Sequence, residues 1–125
     1  MMDRSAPILV LVQDLFFRAK IDATARAGGW PVTCLGDLPR EGALPAARGC
    51  LIDLESAGPN AISGLRRIAA AMPTLAFAAH GKVELLAQAR AAGCRAAVAR
   101  SQLAAELPRL LAELAGTPMP PDERK

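Results

Sequence analysis

Charged side chains follow three short apolar runs of this chain, and together they have the chemistry of a cation site. Asp14 comes just after the first run, Asp53 lies near the end of the run G-C-L-I-D-L, and Arg100 follows the last run. In open parallel sheets, ligands and chemistry collect at the carboxyl ends of the strands. Two carboxylates on one such rim repel each other, and a divalent cation or the guanidinium would relieve that repulsion. We therefore expect Asp14, Asp53 and Arg100 to meet on one rim.

Each of these residues also has a plain structural interpretation, and the sequence leaves both open. Asp14 can cap the helix that follows it, Asp53 can bond backbone amides of its own loop, and Arg100 can be an ordinary surface residue. The single histidine, His80, is interpreted as a loop residue, since no second histidine or nearby cysteine accompanies it as a metal ligand. No hydrolase triad and no glycine-rich phosphate loop is present, so we expect no enzymatic activity.

Five apolar runs bounded by Gly, Pro and polar residues predict five strands, and helical spacing predicts helices between them. The predicted strands are residues 7–12, 30–35, 49–54, 74–79 and 95–99. The predicted helices are residues 15–27, residues 60–72, a segment from Gly81 or Lys82 to Gly93, and residues 102–114. Residues 36–48 are irregular, with a short helix predicted over residues 43–48.

Spacing and cap residues also predict how each helix sits. In the first helix the residues at helical spacing are Phe16, Ala19, Ala23 and Arg26. In the next helix Asn60 is the predicted cap, and the apolar stripe is Ile62, Leu65, Ile68 and Ala69. The helix after strand four is predicted to turn Val83, Leu86, Ala87 and Ala91 inward. In the last helix Ser101 is the predicted cap, and either a kink or a late start of the helix is expected at Pro108.

Strands that alternate with helices of about a dozen residues require right-handed crossovers and a parallel sheet. For 125 residues we expect an α/β flavodoxin-like fold, a three-layer αβα sandwich with a five-stranded parallel sheet in the order 2-1-3-4-5. Pro31 predicts that the second strand lies at an edge. Residues 1–115 are predicted to form one domain, and residues 116–125, with three prolines, a flexible tail.

The composition is that of a globular chain without a surface for nucleic acid or membrane. Hydrophobic residues make up 52% and aromatic residues only 3%, so the core must consist of Ala, Leu, Val and Ile. The net charge of +3 comes from scattered basic residues, and one Trp and three Phe offer no stacking platform. Neither a membrane span nor a signal peptide is visible. Cys34, Cys50 and Cys94 form no C-x-x-C pair, and we expect buried, reduced thiols in a cytoplasmic protein.

Taken in order, these motifs resemble the receiver domain of bacterial two-component response regulators, the CheY-like family. That family has an acidic pair after strand one, a phosphoacceptor Asp ending strand three, a Thr or Ser after strand four, and a Lys after strand five. Here V-Q-D-L, L-I-D-L and A-A-G-C-R-A-A-V-A-R stand at the first, second and last of these places. The run from Asp53 to Ile68 lines up without gaps with the family's D-x-x-M-P stretch and L-R-R-I helix. The resemblance covers about residues 7–115.

The resemblance implies a role for each residue of the rim. Asp53 stands at the phosphoacceptor position. Asp14, Asp53 and the backbone carbonyl of Glu55 stand where the family holds Mg²⁺, which offsets charge during attack on a phosphodonor. Arg100 stands at the position of the Lys that contacts the phosphoryl group, although its guanidinium is longer and forked.

The chain departs from the family pattern at the positions that convert phosphate into a changed surface. Ala78 replaces the Thr or Ser, and Ala97 replaces the switching aromatic residue. Gln13 replaces one acid of the pair, and Ser56 and Ala57 replace the Met-Pro of the loop. A switch needs an element whose two states bind the phosphoryl group differently, and the usual one is missing here.

We therefore expect a stand-alone atypical receiver, or pseudo-receiver, that signals through protein partners and lacks an output domain. The partner would be a histidine kinase or a downstream signalling protein, with a homodimer as a further option. The expected contact face is formed by the helix after strand four, strand five and the last helix, with small residues at Ala87, Ala91, Ala96, Ala97 and Ala104. Two alternatives stay open: a working Mg²⁺-dependent phosphoacceptor, with Asp53 phosphorylated, and a flavodoxin-like protein that binds a small molecule.

Overall fold

The computed structural model describes residues 6–36, 46–56 and 61–116, which contain five strands and five helices. The strands are β1 (Ile8–Leu11), β2 (Val32–Cys34), β3 (Gly49–Asp53), β4 (Thr74–Ala78) and β5 (Ala96–Ala99). The helices are α1 (Leu15–Ala27), α2 (Ala61–Ala71), α3 (Val83–Ala91), α4 (Arg100–Ala105) and α5 (Leu107–Ala115). The five predicted strands and the first three predicted long helices are present, with ends that differ by a few residues.

The five strands form one parallel sheet in the order β2-β1-β3-β4-β5, which confirms the predicted fold. In the register of the sheet, Leu9 of β1 lies opposite Thr33 of β2 on one side and Cys50 of β3 on the other. β1 and β3 are buried at every position. Continuous burial of this kind is expected of central strands in a parallel sheet covered by helices on both faces.

Successive strand residues point to opposite faces of the sheet and supply two separate cores. Ile8 and Val10 of β1 pack in the core that also contains buried residues of α1 and α5. Leu9 and Leu11 pack in the core that contains buried residues of α2 and α3. The sheet is therefore the middle layer of three, as the sequence predicted.

The residues whose helical spacing predicted α1 do not form its buried face. Ile21 and Ala25 are buried, and Phe17, one turn before Ile21, packs against the same core. The residues noted for their helical spacing are exposed: Phe16 (91% exposed), Ala19, Ala23 and Arg26. Phe17, Ile21 and Ala25 share one face at a spacing of four residues, and this face packs against the core.

The buried face of α3 was predicted only in part. Leu86 is buried as expected, together with Ala89. Val83 is 72% exposed, and Ala87 and Ala91 are exposed as well. In α2, by contrast, Leu65 and Ile68 are buried and Ile62 and Ala69 are half-buried, so the predicted stripe is the observed one. The predicted cap Asn60 lies outside the described residues.

The predicted last helix is two helices. α4 begins directly after β5 at Arg100, so Ser101 lies within the helix and is not its cap; the cap position is Ala99, which makes no side-chain cap bond. α4 ends before Glu106, whose backbone (φ −118°, ψ 22°) is not helical, and Pro108 lies in the first turn of α5. A proline has no N–H to bond the preceding turn, which explains the break near the predicted kink.

Several predictions concern stretches that lie partly or wholly outside the described residues. The described part of the predicted helix over residues 43–48, Ala46 to Arg48, is not helical. The predicted tail lies outside the described residues apart from Gly116, which ends α5 in the left-handed region at φ 78°. Among the residues that the structure describes, no helix is both long and apolar enough to cross a membrane.

Two of the three cysteines are buried as predicted, and one is not. Cys50 and Cys94 lie in the core beneath α2 and α3, whereas Cys34, near the end of the edge strand β2, is exposed. Burial raises the pKa of the Cys50 thiol from 9.0 to about 12, with a smaller contribution from Cys94. Burial raises the pKa of the Cys94 thiol to about 11. Both buried thiols therefore stay protonated in the folded chain at neutral pH.

We expect iodoacetamide to alkylate Cys34 rapidly in the folded protein and to leave Cys50 and Cys94 unmodified, because the thiolate is the reacting species. Mass spectrometry of peptides after a timed reaction measures each site. Unfolding the protein in urea provides the control, since all three thiols should then react. Equal modification of Cys34 and Cys50 in the folded protein would contradict the placement of Cys50.

The same pKa shifts predict a loss of stability at alkaline pH. The unfolded chain releases the Cys50 proton above its ordinary pKa of 9.0, whereas the folded chain retains it until about 12. The contribution is complete below pH 9 and is lost as the pH rises towards 12. Urea unfolding of the protein and of Cys50→Val across this range should give a steeper loss in the parent protein. Parallel curves would contradict the prediction.

Gly49, the first residue of β3, is required by the close approach of α5. A Cβ at this position would lie 2.8 Å from Leu114 Cγ and 3.0 Å from the Leu114 carbonyl oxygen. We expect Gly49→Ala to lower the free energy of unfolding by about 1–3 kcal/mol through overpacking. Gly36→Ala is the matched control, since a Cβ there meets no atom within 4 Å. Similar denaturation midpoints for the two variants would show that α5 moves away without cost.

Candidate functional site

The carboxyl ends of β1, β3 and β5 bring the three predicted residues together. Asp14 follows β1 and begins α1, Asp53 is the last residue of β3, and Arg100 begins α4 directly after β5. The Arg100 guanidinium contacts both carboxylates. Parallel strands end at a common rim, which is why residues so far apart in sequence meet here.

Asp53 is a buried carboxylate, with only 2% of the residue exposed. Its Oδ1 accepts a hydrogen bond from the backbone N–H of Glu55 at 3.0 Å, and its Oδ2 accepts one from the Ser56 hydroxyl at 3.0 Å. A buried carboxylate without partners would be costly, and these donors satisfy it from within its own loop. The structure therefore shows the predicted hydrogen bond between Asp53 and a backbone amide of its own loop.

The guanidinium of Arg100 bridges three carboxylates. Its Nη2 lies 3.3 Å from Asp53 Oδ2 and 3.4 Å from Glu55 Oε2, and its Nη1 lies 3.6 Å from Asp14 Oδ2. We name these four residues the Arg100 cluster. The Arg100 side chain is 35% exposed and that of Asp53 is 4% exposed, so the closest pair is shielded from water on its acidic side. Arg100 is thus not an ordinary surface residue.

Two aromatic rings flank the guanidinium. Arg100 Cζ lies 5.7 Å from the centroid of the Phe17 ring and 5.7 Å from that of Phe77. The two rings meet edge to face, with centroids 5.3 Å apart. A guanidinium over an aromatic face gains cation–π attraction, so the rings favour the same position as the carboxylates do.

Asp14 both caps a helix and belongs to the charged rim, which are the two roles that the sequence left open. Its Oδ1 accepts hydrogen bonds from the backbone N–H groups of Phe16 at 3.0 Å and Phe17 at 3.2 Å, which caps α1. Its Oδ2 faces Arg100. The neighbouring Gln13 is exposed, and its backbone N–H donates to the Ser56 hydroxyl oxygen at 3.2 Å. The loop after β1 is thereby connected to the loop after β3.

The two alanines at the family's switch positions are buried. Ala78 ends β4 and Ala97 lies in β5, with 0% and 2% of each residue exposed. Neither supplies a hydroxyl or a ring to the rim. Ala97 also cannot belong to the predicted partner face, because it packs in the core beneath α2 and α3. His80 lies in the turn after β4 and is exposed, as expected of a loop residue.

The predicted Mg²⁺ ligands do not fit a divalent cation in the observed arrangement. Asp14 Oδ2 and Asp53 Oδ2 both face the Arg100 guanidinium, and their other oxygens accept backbone hydrogen bonds. Within residues 6–36, 46–56 and 61–116, no three His, Cys, Asp or Glu side chains are placed to hold a metal ion. Asp14 and Asp53 are neighbours, but a cationic side chain already stands between them.

Four residues of this rim were missed or given another role from the sequence. The Glu55 side chain joins the cluster, whereas only its backbone carbonyl was considered. Ser56 was read as a departure from the family loop, yet its hydroxyl bonds Asp53. Nothing in the sequence around Phe17 or Phe77 indicates their contact with Arg100, because the helix and the strand that contain them meet only in the folded chain.

Comparison with known proteins gives matches among solved structures only. The chain matches no protein-family model. No curated protein matches it either. It is similar to the response regulator receiver protein from Burkholderia phymatum, with 22% identity, a TM-score of 0.68, and coverage of 91% of this chain and 98% of that one.

Two longer proteins match over part of their length. NtrX from Brucella abortus in complex with ATP has 21% identity and a TM-score of 0.68, with 89% of this chain and 27% of that chain covered. Full-length FixJ from B. japonicum has 23% identity and a TM-score of 0.67, with 89% and 56% covered. The chain spans well under two thirds of these two proteins. Together with the sheet order, these likenesses establish that the chain has the CheY-like fold of response regulator receiver domains.

Proposed function

We propose that this chain is an atypical receiver, a pseudo-receiver, that takes part in signal transduction by binding protein partners, with weak or absent switching by phosphorylation. The observation that carries the proposal is the Arg100 cluster. Its guanidinium pairs with Asp53, the residue at the phosphoacceptor position, and with Asp14 and Glu55. In this proposal the chain has no enzymatic turnover and works in the cytoplasm.

The state of Asp53 argues against efficient attack on a phosphodonor. A carboxylate nucleophile needs an accessible oxygen and a cation that offsets charge as the bond forms. Asp53 Oδ2 already accepts the Ser56 hydroxyl at 3.0 Å and contacts Arg100 at 3.3 Å. Oδ1 accepts the Glu55 N–H. Phosphorylation would have to displace the hydroxyl and the guanidinium together.

Coupling between a phosphoryl group on Asp53 and a conformational change of the protein surface would also be weak. In a switch, a ligand shifts an equilibrium only by its differential interaction with the two states. Ala78 has no hydroxyl that could follow a phosphoryl oxygen, and the methyl group of Ala97 is already packed in the core. A phosphoryl group on Asp53 would therefore meet neither a hydroxyl nor an aromatic ring at these two positions.

The working phosphoacceptor remains the second candidate, because one observation favours it. Asp53 ends the central strand β3 and has a cationic partner after β5, which is the arrangement that the receiver resemblance implies. A small-molecule carrier is less well supported. The groove of about 470 Å³ between α1 and α5, lined by residues that include Trp30 and Pro108, lies away from the rim where ligands of this fold bind.

The proposed partner face is formed by α3, β5 and the α4–α5 pair. Ala87 and Ala91 are exposed, and Ala96 and Ala104 are half-buried, so these small residues leave room for a partner helix or a second copy of the chain. Arg90 of α3 donates a hydrogen bond to the carbonyl of Ala97 at 2.7 Å, which covers part of the β5 edge. That bond disfavours pairing through an added strand and favours contact through side chains. A histidine kinase or a downstream signalling protein is the proposed class of partner.

We expect no saturable response when Mg²⁺ and beryllofluoride, a phosphoryl analogue, are added to the ¹⁵N-labelled protein. The backbone amides of Glu55 and Ser56, next to Asp53, should keep their chemical shifts in heteronuclear NMR spectra, because the site is filled by Arg100. Asp53→Asn is the control for nonspecific effects. A saturable shift in the parent protein that is absent in Asp53→Asn would favour the working phosphoacceptor instead.

A further inference from the structure

We infer that Arg100 is a permanent internal counter-ion that stands in the place of a divalent cation, so that this receiver-like site excludes Mg²⁺ while the guanidinium is present. The inference deepens the proposed function, on which it rests, by giving the physical reason why the site does not respond to metal and phosphate. It begins from the disagreement between the ligand set that the resemblance implies and the geometry of the rim.

The first support is position. A Mg²⁺ ion shared by Asp14 and Asp53 would need to lie about 2.0–2.1 Å from an oxygen of each. The oxygens that face the rim, Asp14 Oδ2 and Asp53 Oδ2, lie 3.6 Å and 3.3 Å from the two terminal nitrogens of Arg100. A metal bound to both oxygens would come close to a fixed positive charge. Binding therefore requires that the guanidinium leaves.

The second support is the number of contacts that hold the guanidinium. Leaving the cluster would break the ion pairs with Asp14, Asp53 and Glu55. It would also remove the guanidinium from the faces of Phe17 and Phe77. The backbone of Arg100 is held in the first turn of α4, directly after β5, so the side chain cannot leave with its loop.

The third support is the chemistry of arginine. A guanidinium presents several N–H donors in one plane and spreads its positive charge over that plane. It can therefore bridge carboxylates from different loops at once. A lysine ammonium is a single charged point on a flexible stem, and it would leave part of the cluster unpaired. Arginine at the position where the family has lysine is thus the difference that excludes the metal ion from the site.

The inference is tested with the metal alone. Binding of Mg²⁺ is measured by isothermal titration calorimetry, and binding of Mn²⁺ by electron paramagnetic resonance, on the parent protein and on Arg100→Gln. Removing a neighbouring positive charge is expected to strengthen binding by about tenfold or more, the effect of one pK unit of interaction. Arg109→Gln is the matched control. Arg109 is also an arginine paired with two acids, Glu106 and Glu113, but it lies on the exposed face of α5.

The supporting result is tighter metal binding in Arg100→Gln than in the parent, unchanged binding in Arg109→Gln, and loss of the gain when Asp53→Asn is added. Equal affinity in the parent and Arg100→Gln would overturn the inference, and so would an Arg100→Gln protein that binds no metal. Circular dichroism checks the fold of each variant. If Arg100→Gln does not fold, Arg100→Lys is used instead, because it keeps the positive charge. Its affinity for the metal ion should be higher than that of the parent protein.

Failure of this inference and failure of the proposed function give different results. A parent protein that binds Mg²⁺ as tightly as Arg100→Gln, but whose amides ignore beryllofluoride, overturns the inference and leaves the pseudo-receiver proposal standing. An Asp53-dependent response to beryllofluoride, in a parent protein that binds no Mg²⁺ when the metal is added alone, overturns the pseudo-receiver proposal. It leaves standing the inference that Arg100 excludes the metal.

Discussion

The constraint on which this structure depends is the burial of one carboxylate. β3 is buried on both faces, and Asp53 at its end is therefore only 2% exposed. A charge in that position needs partners close at hand. It receives a backbone N–H and a hydroxyl from its own loop and a guanidinium from the start of α4. The pairing with Arg100 connects the end of β3 to the start of α4, and the contact of Arg100 with Asp14 adds the loop after β1.

The chain has the fold of receiver domains, while the side chains of its rim depart from the pattern that the resemblance implies. The acid at the end of β3 and a cation after β5 are both present, but methyl groups replace the polar and aromatic side chains of the usual switch. Arginine makes this arrangement compact, because a planar, delocalised cation satisfies several acids and stacks on rings. The result is a rim whose charges are paired within the protein. This internal pairing of charges is the observation on which the proposed function is based.

The elements were predictable with good accuracy, whereas the faces of the helices were not. Apolar runs bounded by Gly and Pro located the strands, since such runs occur in buried parallel strands. In α1 and α3 the same approach chose residues that are exposed, Phe16 and Val83 among them. These helices are rich in alanine, which packs on either side, so the spacing of apolar residues does not distinguish the faces. The predicted helix cap at Ser101 and the predicted burial of Cys34 were wrong for a related reason. The point at which a helix or an edge strand ends depends on the elements beside it.

The sequence by itself determined the strand order, the rim, and the three charged residues Asp14, Asp53 and Arg100 that meet there. The common rim follows from chain connectivity, because parallel strands joined by crossovers must end on one side. The strand order was predicted as the leading arrangement for a chain of this size. Only the tertiary structure decided what the three do together. The Glu55 carboxylate, the Ser56 hydroxyl and the rings of Phe17 and Phe77 all converge on the same acid and guanidinium. Whether a metal or an arginine neutralises clustered acids depends on distances of a few ångströms between loops, and spacing along a chain does not contain them.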